Sequence, residues 1–268
     1  LCNGEQAVKE GEKMDKADEQ DQKVNFGFES VPASEKTERV QDVFHRVASR
    51  YDLMNDAMSL GIHRGWKDAF VGQLPLSPGF HHLDMAGGTG DITRRIIKRA
   101  LAQNLKGHIV LADLNASMLT QAQLPLEAPA FVTAACTNAE SLPFDEGVFD
   151  SYTIAFGLRN VTDQAQALKE AFRVLKPGGV FMCLEFSKVK NPLLAKLYNM
   201  YTLQIVPKMG RLIAQDEAAY RYLGQSIKQF HAPHTLGEMM CKNGFVSVSH
   251  QLLTGGVVAI HTGWKPHH

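Results

Sequence analysis

Hydrophobic and polar positions change rhythm several times along the chain. Few apolar residues precede Val24, where Lys, Glu, Asp and Gln dominate. Such a segment cannot offset its ordering entropy by burial, so residues 1–30 are expected to be a disordered arm. From Glu35 onward Val40, Val43, Phe44, Val47 and Tyr51 recur at helical spacing, which predicts an amphipathic helix with Ser34 as its N-cap. After the Pro75–Gly79 punctuation, short apolar runs alternate with helical segments, the signature of a parallel sheet covered by helices. Strands are expected at Phe80–Met85, His108–Asp113, Ala130–Ala135, Phe149–Phe156 and Val180–Glu185, with helices at Asp91–Gln103, Ala116–Gln123 and Asp163–Leu175.

Residues 188–230 interrupt this alternation with two or three helices carrying Leu193, Leu197, Tyr198, Tyr201 and Ile205. They read as an insertion over one sheet edge and a candidate lid. Two last β-like runs, Phe245–Leu252 and Gly256–His261, flank a Gly255-Gly256 turn and predict a closing hairpin. The organisation that follows is a single domain over 31–268. It comprises a helical lid at 35–75, a core at 80–187, the insertion at 188–230, and a closing helix and hairpin at 231–268. A length of 268 residues suits one α/β domain with a sizeable core.

Charge narrows the partners. Lys plus Arg and Asp plus Glu balance at 28 each, leaving no net field to attract nucleic acid. Cys2, Cys136, Cys183 and Cys241 contain no CxxC pair and suit a reducing compartment. No stretch approaches the roughly 18 uninterrupted apolar residues of a spanning helix, so any membrane contact is expected to be peripheral. His231, His234 and Cys241 have loose metal-like spacing without a fourth ligand, and no metal is expected. Leu1 stands where an initiator Met would, as in a processed or truncated N-terminus.

The candidate chemistry begins at LDMAGGTGD, from Leu83 to Asp91. A strand ending in Asp84, a turn through Gly87, Gly88, Thr89 and Gly90, and a helix from Asp91 place backbone N–H groups beside a ligand. The third glycine of a dinucleotide loop is missing, and no Gly-Lys-Ser/Thr follows as in a P-loop. Asp113 ends the next strand roughly twenty residues later, where a carboxylate accepts from both hydroxyls of a ribose. A ribose without a diphosphate points to S-adenosyl-L-methionine, the alternative for Asp113 being a helix N-cap. Asn138 and Ala139, followed by Leu142-Pro143-Phe144, lie where a third strand would end and are placed to frame an adenine.

Several stretches resemble one known family closely: FGFESV from Phe26, YDLMNDAMSLGIHRGWK from Tyr51, LDMAGGTGDIT from Leu83, FGLRNVTD from Phe156, RVLKPGG from Arg173 and LEFSK from Leu184. The chain is similar, from about Phe26 to Lys265, to the C-methyltransferases of quinone synthesis. These methylate polyprenylated benzoquinols on the way to ubiquinone and demethylmenaquinols on the way to menaquinone. The resemblance implies a class I S-adenosylmethionine-dependent methyltransferase with a Rossmann-like α/β fold. That fold has a seven-stranded, mostly parallel sheet with one antiparallel strand near an edge and helices on both faces. It also implies cofactor contacts at Thr89, Asp113, Asn138 and Ala139, to which the loop reading adds Asp84, Gly88 and Gly90. Two departures are a short Gln121–Thr137 segment and Ala155, where some bacterial members carry serine.

The expected reaction is methylation of a polyprenylated methoxy-benzoquinol ring carbon, with demethylmenaquinol methylation or a cofactor-binding scaffold of weak catalysis as alternatives. Arg159 and Asn160, past the end of the fourth strand, match the family's FG-[LI]-R-N motif and are the catalytic candidates. Arg159 stays protonated, so it is read as stabilising a developing phenolate or polarising a water; the alternative is a buried brace paired with Glu185 or Asp163. Tyr51, Asn55, His63 and Trp66 mix aromatic faces with hydrogen-bonding groups, as a lid over an aromatic headgroup would, though ordinary helix packing produces the same mixture. His63 is an alternative proton acceptor. Tyr201 and the insertion's apolar residues are candidates for the prenyl tail, a bilayer surface, or core and dimer packing. The wording Cys183-Leu-Glu-Phe-Ser187 and Asn191-Pro192 is closer to the mitochondrial branch. This implies the matrix side of the inner mitochondrial membrane, a peripheral location, a ubiquinone-biosynthesis enzyme complex and a homodimer.

Overall fold

Alternation along one strand shows how the core divides. In β7 (Leu175–Phe186), Phe181 and Cys183 face one hydrophobic cluster while Val180, Met182 and Leu184 face another. A strand buried on both sides must lie between two helical layers. The computed structural model describes residues 23–47, 56, 59, 61–125, 131–211 and 216–267. Its main sheet comprises β3 (Phe80–Met85), β4 (Gly107–Asp113), β5 (Val132–Cys136), β6 (Phe149–Ala155), β7, β8 (Val246–Leu253) and β9 (Val258–Trp264), in the order β5-β4-β3-β6-β7-β9-β8. Strands β3 to β7 pair in parallel, and β9 runs antiparallel to both neighbours. The expected class I methyltransferase sheet is therefore present, with one antiparallel strand next to an edge.

One helical layer brings α5 (Gln164–Val174) and α9 (Pro233–Lys242) onto the sheet through Leu168, Ala171, Leu236 and Met240. The opposite layer brings α2 (Ile62–Gln73) and α3 (Asp91–Ala102) through Phe70, Leu74, Ile96 and Ile97. Strand β3 matches its expected bounds, and the β8–β9 hairpin turns through Thr254–Gly256. The third strand, expected from Ala130, is paired from Val132 opposite Ile109 to Cys136 opposite Asp113.

Three expectations need correction. Residues 23–30, read as part of a disordered arm, belong to a β-hairpin of β1 (Lys23–Phe26) and β2 (Glu29–Pro32). Its few apolar residues find distant partners, Phe26 stacking on Tyr222 at 4.3 Å and Val31 being buried. Ser34 does not cap the first helix: α1 spans Ala33–Val47, entered directly from Pro32, whose ring restricts φ to values a helix accepts. The 188–230 insertion does not cover a sheet edge. Its α6 (Pro192–Met200), π-helical turn (Tyr201–Ile205), α7 (Val206–Met209) and α8 (Glu217–Gln229) supply Tyr198, Tyr201, Val206 and Tyr222 to one wall with Phe156, just after β6, and Phe186, at the end of β7, and so stand at the carboxyl side of the central strands. There Val206, Ala219, Tyr220 and Tyr222 form a separate cluster with Val40 and Val43 of α1. The reason is hydrophobic: α1 presents an apolar stripe whose cluster includes no residue of the main sheet, and only Phe26 of the hairpin and these helices cover it.

Candidate active site

The glycine-rich turn leaves β3 in a sparsely populated backbone. Ala86 has φ 53° and Gly88 φ 53°, both left-handed. A Cβ on Gly88 would stand 3.1 Å from Met118 Cε and 3.9 Å from Asp113 Oδ2, in the space the turn leaves open. Opposite, Phe156 also has a positive φ of 56°, and a Cβ on Gly157 would lie 2.4 Å from Ala86 Cβ. The ends of β3 and β6 are thus drawn together so closely that only glycine fits. Strained backbone at both strand ends borders one cavity, whose walls include Gly88, Thr89, Asp113, Asn138, Ala139 and Asn160.

Asp113 is held by two backbone donors, Gly88 N–H at 2.9 Å to Oδ2 and Asn115 N–H at 2.8 Å to Oδ1. Burial raises its pKa above the usual carboxylate value, and the backbone hydrogen bonds oppose that shift. The N-cap of α4 (Ala116–Thr120) is Asn115, which accepts from Ser117 and Met118 N–H, so Asp113 is not the helix cap. Each Asp113 oxygen keeps a lone pair for a ligand. At the far end of the cavity, Asn138 bridges to Ser141 and accepts from Glu140 N–H, placing Asn138 and Ala139 along the wall.

Asp84 and Gly90 do not line this cavity. Asp84 is fully buried beneath the turn and accepts from Thr93 Oγ1 at 2.7 Å and Thr153 Oγ1 at 3.0 Å. Desolvation pushes its pKa up to about 6. His82 continues the chain, with Nε2 2.9 Å from Thr153 Oγ1 and Nδ1 2.8 Å from Ser151 Oγ. Because Thr153 gives its proton to Asp84, neutral His82 donates from Nε2 and accepts from Ser151 at Nδ1. Burial, which lowers the His82 pKa to about 3, keeps that tautomer uncharged. Gly90, at φ 79°, is the N-cap position of α3.

A second cavity abuts the first, and Phe44, Lys67 and Phe156 line both. Its wall is rich in aromatic rings, among them Trp66, Phe156, Phe186, Tyr198, Tyr201 and Tyr222, and its polar members include Ser59, His63, Lys67, Arg159 and Thr202. Here the structure brings together His63, Trp66, Tyr201 and Arg159; Tyr51 and Asn55 lie outside the described residues. Trp66 spends its indole N–H on Thr254 Oγ1 at 2.7 Å and offers the cavity its ring. Burial raises the pKa of Tyr198, Tyr201 and Tyr222, the last to about 12, so these hydroxyls donate and do not act as bases near neutrality. Burial, then the Lys67 charge, lowers the pKa of His63, whose Nδ1 sits 2.6 Å from Ser59 Oγ.

The side chain of Arg159 is 4% exposed and that of Glu185 0%, and Arg159 Nη1 lies 3.1 Å from Glu185 Oε1. Phe186 covers the guanidinium at 5.3 Å. The structure shows the brace, with Glu185 of β7 as partner, and also sets Arg159 in the wall of the aromatic cavity. Asn160 turns to the first cavity, with Oδ1 accepting from Tyr222 at 3.0 Å. Sequence reasoning did not nominate Lys67, Phe156 or Tyr222, and it named Tyr198 only among the insertion's residues. Lys67 stood within the quoted GIHRGWK stretch, and Phe156 opens FGLRN, so proximity to those motifs was the available signal. Among the described residues no three His, Cys, Asp or Glu side chains gather as a metal site requires.

Two adjoining cavities, one at a strand-end turn with the Asp113 carboxylate in its wall and one rich in aromatic rings, are what transfer between a nucleoside donor and a flat acceptor demands. A family model for the ubiE/COQ5 methyltransferase family matches residues 33–265. The mitochondrial 2-methoxy-6-polyprenyl-1,4-benzoquinol methylase of Danio rerio is 46% identical over an alignment that covers 90% of this chain and 84% of that protein. The ubiquinone/menaquinone biosynthesis C-methyltransferase UbiE of Zymomonas mobilis is 50% identical over 246 residues, 91% of this chain and 99% of that one. Human N-acetylserotonin methyltransferase in complex with SAM has the same fold, with a TM-score of 0.57 at 17% identity over 83% of this chain and 58% of its own. Fold and family are those of S-adenosyl-L-methionine-dependent methyltransferases, as the sequence predicts. With the match covering nearly all of the described residues, the chain belongs to the ubiE/COQ5 methyltransferase family.

Proposed function

We propose that this enzyme C-methylates a polyprenylated methoxy-benzoquinol in ubiquinone biosynthesis, with the donor in the cavity at the glycine-rich turn and the ring in the aromatic one. The shared wall of Phe44, Lys67 and Phe156 carries this reading, because methyl transfer needs donor and acceptor in line at about 3–3.5 Å. S-adenosyl-L-methionine supplies, when bound, a methyl group already electrophilic on its sulfonium. Asp113 is assigned to the ribose hydroxyls, the Gly88–Thr89 turn to close backbone approach, and Asn138 and Ala139 to the adenine edge. Asp84 acts from below by fixing Thr93 and Thr153 under the turn.

On the acceptor side, Arg159 stabilises the ring oxygen as it becomes anionic, since a guanidinium holds its charge throughout. Asn160, oriented by Tyr222, faces the donor cavity beside it. Of the described titratable side chains in the aromatic wall, His63 alone takes up a proton near neutral pH, and we assign it as the proton acceptor. Tyr201 and Tyr198 flank the route by which a prenyl chain leaves the ring.

The same reading places the enzyme on the matrix side of the inner mitochondrial membrane as a peripheral protein. Leu193, Leu197 and Met200 are 69%, 51% and 46% exposed on α6. Exposed Lys190, Lys196, Lys208 and Arg211 accompany them, with no Asp or Glu between 188 and 211. Apolar side chains beside unopposed cations suit an anionic lipid surface. No described helix is long and apolar enough to cross a membrane. A homodimer and a place in a ubiquinone-biosynthesis complex belong to this reading and are tested by sedimentation and co-purification.

The deciding experiment transfers labelled methyl from S-adenosylmethionine to a prenylated benzoquinone analogue, reduced or oxidised. Incorporation into the reduced ring alone is expected, because a quinol oxygen activates its ring carbon and a quinone does not. No incorporation into the reduced ring overturns the substrate assignment.

A further inference from the structure

Lys67 is a buried lysine to which neither the donor nor the acceptor has yet been assigned a contact. Its side chain is 8% exposed, and Nζ donates to Asp91 Oδ2 at 2.7 Å, its sole hydrogen-bond partner among the described residues. An ammonium carries three donor hydrogens, so two are not spent on Asp91. Asp91 borders the donor cavity and not the aromatic one, which puts the charged end of Lys67 on the donor side and leaves its methylenes for the shared wall. Asp91 is itself over-supplied with cations: Arg94 and Arg95 reach Oδ1 at 3.3 and 3.2 Å. Arg95 also pairs with Asp68. Three cations against the two carboxylates Asp91 and Asp68 leave this corner one positive charge in excess.

Order across the sheet then identifies the anion. Neighbouring strands β5, β4 and β3 lead in turn to Asn138 and Ala139, to Asp113, and to Thr89 and Asp91, with Lys67 held on Asp91. With the nucleoside at Asp113, as the functional reading above requires, the amino-acid end of the cofactor meets Lys67. We propose that Lys67 is the anchor for the α-carboxylate of S-adenosylmethionine, with Asp91 holding the lysine in place. A buried charge-assisted hydrogen bond from lysine to carboxylate is worth more than one between neutral groups. The same contact fixes the cofactor against the wall it shares with the acceptor.

The test is calorimetric and needs no turnover. S-adenosylhomocysteine carries the whole amino-acid end, S-adenosyl-3-thiopropylamine keeps the amine without the carboxylate, and 5′-methylthioadenosine lacks both. For Lys67→Met, the affinity for S-adenosylhomocysteine is expected to fall about 10- to 100-fold, with the other two ligands within about twofold of wild type. Lys67→Arg, which restores the charge, is expected to recover part of the loss. Asp113→Ala, in contrast, should weaken all three ligands, so the nucleoside assignment fails independently if it weakens none. Equal losses for the three ligands in Lys67→Met would make Lys67 a packing residue and overturn the proposal. Unchanged binding with a reduced kcat would move it to the acceptor and overturn it equally.

Discussion

The hydroxyl of Tyr222 donates to Oδ1 of Asn160 at 3.0 Å and so ties the inserted helices to the loop that ends β6. Tyr222 is in turn stacked on Phe26, which gives the N-terminal hairpin a hold on the same loop. Removing the hydroxyl in Tyr222→Phe leaves the Asn160 oxygen short of a donor at a cost of about 1–3 kcal/mol. We expect kcat to fall roughly tenfold, with the affinity for S-adenosylhomocysteine kept. Stopped assays and calorimetry on the one variant decide it: a lower melting temperature with unchanged kcat would reduce the contact to packing.

A second expectation concerns Asp113. Both oxygens already accept one backbone N–H, so its position is fixed before any ligand arrives. Replacing it with alanine removes a charged acceptor and should weaken S-adenosylmethionine binding by about 10- to 150-fold. Calorimetry giving wild-type affinity would dismiss the ribose assignment.

These two residues differ in how visible they are along the chain. Asp113 ends an apolar run at a set distance from a glycine turn, a local pattern that periodicity and spacing expose. The whole parallel sheet was legible for that reason, since its strands are continuous apolar runs punctuated by glycine and proline. Tyr222 and Lys67 acquire their positions through tertiary contact, the first across 62 residues to Asn160 and the second across 24 to Asp91. Nothing in the local sequence around them marks such partners. The hairpin at Lys23–Pro32 was missed on the same ground: its stabilising partner, Tyr222, lies at the other end of the chain. Asp84 shows the opposite failure, for the motif marks it as a ligand group while the fold buries it under the turn.

That burial gives Asp84 a signature in stability against pH. Its pKa is raised to about 6 in the folded protein, so the folded state holds the proton more tightly than the unfolded chain. The stabilising contribution is complete below the unfolded carboxylate value near 4 and is lost as pH rises through about 6. Two units of pKa correspond to about 3 kcal/mol. Asp84→Asn removes the titration, so the stability of wild type minus variant, measured by urea unfolding, should decline by that order between pH 4 and 7. A difference that stays flat across this range would mean that Asp84 is not desolvated as described.

His63 should appear in the pH dependence of rate. Burial and the neighbouring Lys67 lower its pKa below the free-imidazole value, so it is neutral and ready to accept a proton at pH 7. The acidic limb of kcat in wild type is expected to have its midpoint below about 6.5. His63→Asn should abolish that limb and lower kcat by about 100-fold while cofactor affinity holds. An acidic limb that survives the substitution would transfer the role to another group, such as a water polarised by Arg159.

Arg159 braces β7 through Glu185 and is proposed to act on the acceptor ring, and the Glu185 partner allows the two roles to be separated. Glu185 is wholly buried, its pKa raised by desolvation against the pull of Arg159, so the pair is a desolvated ion pair and not a surface one. Arg159→Met strands the carboxylate and should cost about 3–5 kcal/mol, which would depress activity through folding alone. Glu185→Gln added to it removes the stranded charge while an amide oxygen still accepts from the N–H groups of Arg159 or Phe186, positions now served by Glu185. The double variant is therefore expected to regain most of the lost stability in urea unfolding. Turnover should nevertheless stay at least about 100-fold down, because the cation beside the acceptor ring is still missing. Recovery of turnover along with stability would leave Arg159 a brace for β7 and nothing more.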